Sequence, residues 1–317
     1  MPSLEAIYGP MAAVTCSALW AITSIFFTEA GRRIGVTRVN LWRLWIAFGF
    51  HILVFALIHG LSFPQIHQRQ LAYLAISGVI GFAICDQALF LAFVLIGPRR
   101  TLLIQLSTPI FAVLLGVLVA SEHLSLAAYL GIALVVAGIA WTVLERRPTL
   151  VDATAQSRTR LRLGVACAVL GAFTQALGLL LAKLGMSAEG LEGIAPIDPQ
   201  TSALIRLPFG AFATLFVYLA VRQVRRGQLG ATLLDPRTVR IGLIFAAAGA
   251  ATGPFLGVWC AQIAITHLEL GIAQTLLSLA PVFVIPIVIF AYREQVSRRA
   301  LLGALVAFLG AVVLFLG

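Results

Sequence analysis

The chain has 317 residues, of which 61% are hydrophobic and 11% charged, and its mean hydropathy is +1.02. Soluble proteins average about 45–50% apolar and about 25% charged residues, so a water-soluble globule, a disordered chain and a nucleic-acid module are excluded despite a net charge of +10. What remains is an all-α integral membrane protein. About 20 residues per crossing allow about ten transmembrane helices with little left for a soluble domain.

Apolar runs fall at 11–27, 41–58, 71–95, 101–120 and 124–144, and again at 163–182, 201–221, 241–265, 270–291 and 300–316. Gly and Ala are interspersed, as close helix packing in lipid requires, and no ten-residue alternating segments suggest barrel strands. The segment before the first run carries Glu5 and no Lys or Arg. It therefore lacks the basic flank of a cleaved signal peptide, and Arg32 and Arg33 follow the run instead. Only Arg69 and Lys183 lie on the face bearing the N-terminus, against 18 arginines on the other. The positive-inside rule puts the arginine-rich loops in the cytoplasm and both termini outside, in a plasma (bacterial inner) membrane. The basic charge thus faces an anionic leaflet rather than a nucleic acid.

The halves 1–150 and 151–317 resemble each other. Shifting residues 109–144 by 172 matches nine of 36 positions, including Pro109/Pro281, Phe111/Phe283, Glu122/Glu294, Ser125/Ser297, Gly131/Gly303 and Gly138/Gly310. Cys16 and Thr23 pair with Cys167 and Thr174, and Arg43-Leu44 pairs with Arg206-Leu207. Five spans per half, an odd number, invert the second half relative to the first. Two inverted five-helix repeats are the architecture of many secondary transporters.

Besides Trp20 in the first span, the intramembrane Arg43 and the run Thr108-Pro109-Ile110-Phe111 through Glu122, Gly131 and Gly138 stand out, and all but Trp20 have second-half counterparts. These are Arg206, Ala280-Pro281-Val282-Phe283, Glu294, Gly303 and Gly310. With these features the chain resembles the ten-span EamA-type members of the drug/metabolite transporter superfamily, over about residues 11–316. The resemblance implies a carrier of small metabolites, commonly an exporter of amino acids or related compounds, and not an enzyme.

Asp86 is the one acidic residue inside the apolar runs. Ten residues from the end of its span, it lies about 15 Å deep. A carboxylate there is costly unless paired, hydrated or protonated, so Asp86 reads either as a proton-coupling group or as a hydrogen-bonded tie between helices. Gln87, Gln105, Gln175, Gln262 and Gln274, with Ser278, Thr23 and Thr174, could hold a zwitterionic or amide-bearing solute. Their alternative is interhelical hydrogen bonding. Trp20 and Trp259 lie within spans, where either stacking on a solute or packing would suit them.

Arg43 and Arg206 start from opposite faces and read as snorkelling side chains in structural ion pairs. That arrangement argues against phosphorylated substrates. Inversion places Arg43 with Glu294 at one face and Arg206 with Glu122 at the other. Cross-half gating pairs are one expectation, and each Glu capping its following helix is the other.

His51, His59, His67, His123 and His267 show no metal-ligand spacing, the four cysteines read as free thiols, and no phosphate-cradling loop points to ATP. The expected partners are a small-molecule substrate and the lipid bilayer, with no cofactor and a monomer compatible with the sequence. The reading is a secondary transporter working by alternating access, with a lipid-handling intramembrane protein as the alternative.

Overall fold

The computed structural model describes residues 4–60, 63–145, 158–224, 235–292 and 297–316. Ten helices in it are long and apolar enough to cross a membrane: α1 (Ile7–Ile34), α2 (Arg38–His59), α3 (Gln68–Gly97), α4 (Arg100–Val119) and α5 (Leu126–Leu144), then α6 (Arg158–Met186), α7 (Pro199–Ala220), α8 (Pro236–His267), α9 (Leu270–Ile287) and α10 (Arg298–Leu316). The described residues contain no strand. The expected all-α fold of two five-helix repeats is therefore observed.

Packing follows a two-fold pattern relating the inverted halves. The helix α1 packs on α8 as α6 packs on α3, while α2 meets α7, α4 meets α9 and α5 meets α10. The α5–α10 contact shows why its glycines recur. A Cβ on Gly138 would lie 2.3 Å from Ala307 N, one on Gly303 2.9 Å from Gly138 O, and one on Gly310 2.9 Å from Gly131 O. Backbones touch there, and only hydrogen fits between them. In lipid this close packing replaces the hydrophobic drive that holds soluble helices together.

Helix starts are set by local chemistry. Asp198 Oδ1 accepts from the amides of Gln200 and Thr201 at 3.0 Å each, and Asp235 Oδ2 accepts from Thr238 N at 3.1 Å. Each Asp precedes a proline, a residue favoured in the first helical turn because its missing N–H would have no partner there. Ser125 Oγ and Ser297 Oγ accept from Ala128 N and Ala300 N at 3.1 Å each. The recurrent serine, not Glu122, therefore caps the helix that follows it.

Two irregularities sit at equivalent places in each half. A π-helical turn spans Val79–Ile84 in α3 and Ala251–Gly257 in α8. Pro254 explains the second, since it has no N–H to donate and its ring obstructs a regular turn. Breaks also interrupt α4 at residues 106–107 and α9 at residues 278–279. Pro109 and Pro281 stand two positions past these breaks, in the first turn of the resumed helix.

Candidate functional site

A cavity of about 310 Å³ lies at mid-depth between the halves. Its wall takes Trp20, Thr23, Ser24 and Phe27 from α1, Arg43 from α2, and Gly81, Phe82, Cys85, Asp86 and Leu89 from α3. The second half adds Gln175 and Leu179 from α6, Arg206 from α7, and Gly253, Pro254, Val258 and Ala261 from α8. The contributions of α3 and α8 correspond under the inversion: Gly81 with Gly253, Phe82 with Pro254, Asp86 with Val258, and Leu89 with Ala261. Both π turns form part of the wall. A π turn inserts one residue and re-aims the side chains that follow, a feature frequent at functional sites.

Of the residues singled out in the sequence, Trp20, Thr23, Asp86 and Gln175 line this cavity. Thr23 Oγ1 lies 2.7 Å from Thr252 Oγ1 and donates to Leu19 O at 2.7 Å. A Cβ on Gly253 would lie 2.6 Å from Thr23 Cγ2, and one on Gly257 2.6 Å from Trp20 Nε1. The glycines of the second π turn thus let α1 seat its polar and aromatic residues against α8.

Other members of the polar set lie elsewhere. Gln105 Oε1 accepts from Thr108 Oγ1 at 3.0 Å, and Gln274 Nε2 donates to Ser278 Oγ at 3.3 Å. The first pair brackets the break of α4, and the second runs into the break of α9 at Ser278. Thr174 Oγ1 bonds back to Leu170 O at 2.7 Å. Gln262 is fully buried, with neither side-chain atom partnered among the described residues. Trp259 stands 6.1 Å from the Phe255 ring, and neither it nor Gln87 contributes to the cavity wall.

Of the two expected cross-half pairings, Arg206 with Glu122 is not formed, and Arg43 with Glu294 falls on a residue outside the described ones. Arg43 donates through Nη2 to Asp86 Oδ2, within one half and across two neighbouring spans. Asp86 is therefore a paired carboxylate, and Arg43 finds its partner without Glu294, which lies outside the described residues. Arg206 does not meet Glu122. Its guanidinium stands 5.2 Å over the Phe82 ring, and its Nε has no hydrogen-bond partner among the described residues.

Glu122 instead reaches the second half. Its Oε1 accepts from Lys183 Nζ at 2.5 Å and its Oε2 from Leu270 N at 2.7 Å, while Lys183 Nζ also donates to Leu268 O at 2.7 Å. The carboxylate caps α9, favourably placed at a helix N-terminus, rather than its own following helix. Lys183, which the charge count treated only as a loop residue, completes this junction.

The expectation that Arg43 and Arg206 stay at opposite faces is also overturned. Arg43 is five residues into α2 and Arg206 seven into α7, about 8 Å and 11 Å of axial rise from opposite ends. Their long side chains cover the remaining distance, and both reach the same cavity. Sequence reasoning also missed Phe27, Phe82 and the two π-turn glycines. The Gly81/Gly253 match at the 172-residue offset was the available signal.

Exposure is graded along the wall. Ser24 is exposed, and the Arg43 and Asp86 side chains are 15% and 21% exposed. At the other end Arg206 is 5% exposed, and Leu179, Val258 and Ala261 are buried. The more accessible end is the one nearer the arginine-rich face, and the junction of Glu122, Lys183 and Leu270 stands at the opposite face.

A polytopic helical membrane protein with inverted halves around a mid-depth, largely apolar cavity carrying a few polar groups has the architecture of a transporter. The EamA-like transporter family model matches residues 7–144 and 162–316, and the chain belongs to that family. It is a membrane transporter of the drug/metabolite type. A crystal structure of a protein 15% identical in sequence superposes with a TM-score of 0.72, covering 96% of this chain and 95% of the other. That likeness concerns the fold alone. Comparison with curated proteins finds no match.

Proposed function

We propose that the protein is a secondary transporter that exports small metabolites, amino acids or related compounds among them, by alternating access. The observation that carries this reading is the cavity itself. It is built at mid-depth from equivalent π turns of two inverted halves, the place where inverted-repeat carriers hold their solutes. In the orientation given by the arginine bias, the accessible end faces the cytoplasm and Glu122, Lys183 and Leu270 close the outer face. An inward-open cavity is the loading state of an exporter.

The Arg43–Asp86 pair supplies a route to proton coupling. Protonation of Asp86 removes its charge and frees Arg43, so proton binding and helix arrangement are linked through one contact. The outer junction ties α4, α6, α8 and α9 together, and an outward-open state must break it. Counterflow in proteoliposomes tests the reading across a panel of amino acids, organic carboxylic acids, amines and drugs. Exchange of at least one panel member is expected; no exchange of any, with or without a pH gradient, would overturn it.

A further inference from the structure

We propose that the cavity selects an organic monoanion, a carboxylate carried on an apolar body about the size of one ring, with Arg206 as the anion anchor. This names the substrate class of the same cavity and so rests on the carrier reading.

Three charged side chains line the cavity: Arg43, Asp86 and Arg206. Arg43 and Asp86 compensate each other. Arg206 has no hydrogen bond or ion pair among the described residues, although it is 5% exposed and its Nε is fully enclosed. A buried guanidinium offers five donors in a planar fork and is costly without an acceptor. Neither Glu122, engaged by Lys183 and Leu270, nor Asp86, engaged by Arg43, supplies one. An acceptor brought by the solute completes the site.

The fork is held in place. Phe82 lies under the guanidinium at 5.2 Å, a cation–π arrangement that strengthens when desolvated. A Cβ on Gly81 would lie 3.3 Å from Arg206 Nη2, so the π turn leaves room for this arm of the fork and little more. The planar fork matches a carboxylate in bidentate fashion.

Net charge sets the valence of the ligand. One uncompensated cation suits one negative charge; a dianion would be left with an excess charge in a poorly hydrated site. A solute whose only charge is an ammonium meets the unpaired Arg206 and no free carboxylate. Trp20, Phe27, Leu89, Leu179 and Val258 supply the apolar wall. A volume of about 310 Å³ stands at the small end of ligand cavities, about 300–1,000 Å³.

Isothermal titration of the purified full-length protein in detergent tests this with 3-phenylpropanoate, 3-phenylpropanamide and 3-phenylpropylamine. The acid should bind about tenfold or more tighter than the amide, the gain expected of a charge-assisted hydrogen bond, and the amine should not bind. Arg206→Gln should equalise acid and amide, while Arg206→Lys should keep part of the preference. Equal binding of acid and amide by the native protein, or an unchanged preference in Arg206→Gln, would overturn the proposal.

If Arg206→Gln does not fold, Asp86→Asn carries the test. Freeing Arg43 should raise affinity for phenylphosphonate, titrated about one and a half pH units above neutrality where it is a dianion, relative to the acid about tenfold, and no change would count against the proposal. Titration in phosphatidylcholine nanodiscs with and without phosphatidylglycerol separates a soluble anion from a lipid headgroup, and competition by the anionic lipid would overturn the soluble-anion assignment. Counterflow of the amide or amine without the acid would spare the carrier reading and overturn the anion site. Tight acid binding without counterflow of any solute would do the reverse.

Discussion

Gly81 and Gly253 are each the third residue of a π-helical turn, stand at the 172-residue offset of the repeat, and share the wall of one cavity. The relationship is not a matter of sequence likeness alone. Around Gly253 lie Pro254 and Phe255, and around Gly81 lie Phe82 and Ala83. Proline forces the turn in the second half. The first half's turn, Val79–Ile84, contains no proline, and the backbone of α7 passes close by: a Cβ on Gly78 would lie 2.2 Å from Arg206 O. Both halves thus build the same irregularity by different local means. In each the turn places a glycine where the neighbouring repeat brings a side chain, Arg206 beside Gly81 and Thr23 beside Gly253.

Breaking the Arg43–Asp86 pair is expected to separate coupling from exchange. Asp86→Asn should abolish accumulation driven by a pH gradient and retain solute counterflow. Unchanged proton-driven accumulation in that variant would return Asp86 to a structural role.

The same pair should show strong energetic coupling. Removing either partner strands the other in a partly buried site, a loss of about 3–5 kcal/mol for fully buried pairs and less here, where both side chains keep some exposure. The double variant Arg43→Gln/Asp86→Asn should lose less than the two single losses added together. Thermal unfolding in one detergent checks this, and strict additivity would exclude a direct interaction.

At the opposite face, Glu122→Ala leaves Lys183 without its carboxylate and Leu270 N without an acceptor. The expected cost is about 1–3 kcal/mol for Leu270 N, the donor left buried and unsatisfied, since Lys183 Nζ keeps its bond to Leu268 O. Glu122→Gln should recover the bond to Leu270 N but not the ion pair. A transport-rate double-mutant cycle between Glu122 and Lys183 should give coupling above about 0.5 kcal/mol; a smaller value would remove this junction from outer closure.

Glycine substitutions should sort by what surrounds them. Gly138→Val puts its Cβ 2.3 Å from Ala307 N and should prevent recovery of folded protein. Nothing lies within 4 Å of a Cβ on Gly49 in α2. There Gly49→Ala should be neutral or stabilise by up to about 1 kcal/mol through helix propensity. Size-exclusion profiles and thermal unfolding of the two variants test this contrast.

The orientation has its own check. The arginine bias predicts that a reporter fused after Gly317 registers as external. A cytoplasmic signal would reverse the assigned sides while leaving the repeat intact.

Sequence alone was sufficient for the elements whose cause is local or periodic. Ten apolar runs specify ten helices because lipid leaves the backbone no other way to satisfy its hydrogen bonds. The doubled Pro109/Pro281, Ser125/Ser297 and glycine pairs revealed the repeat because helix restarts, caps and backbone contacts each require a particular residue type. Trp20, Thr23, Asp86 and Gln175 were legible as cavity residues because polar or amphipathic side chains are scarce at that depth. Tertiary structure alone decided the partners. Asp86 took Arg43, Lys183 took Glu122, and Arg206 was left facing the cavity, because such contacts depend on how helices distant in sequence are rotated and staggered against each other. Hydrophobic patterning fixes the depth of a residue in the membrane, but not the neighbour its side chain will meet.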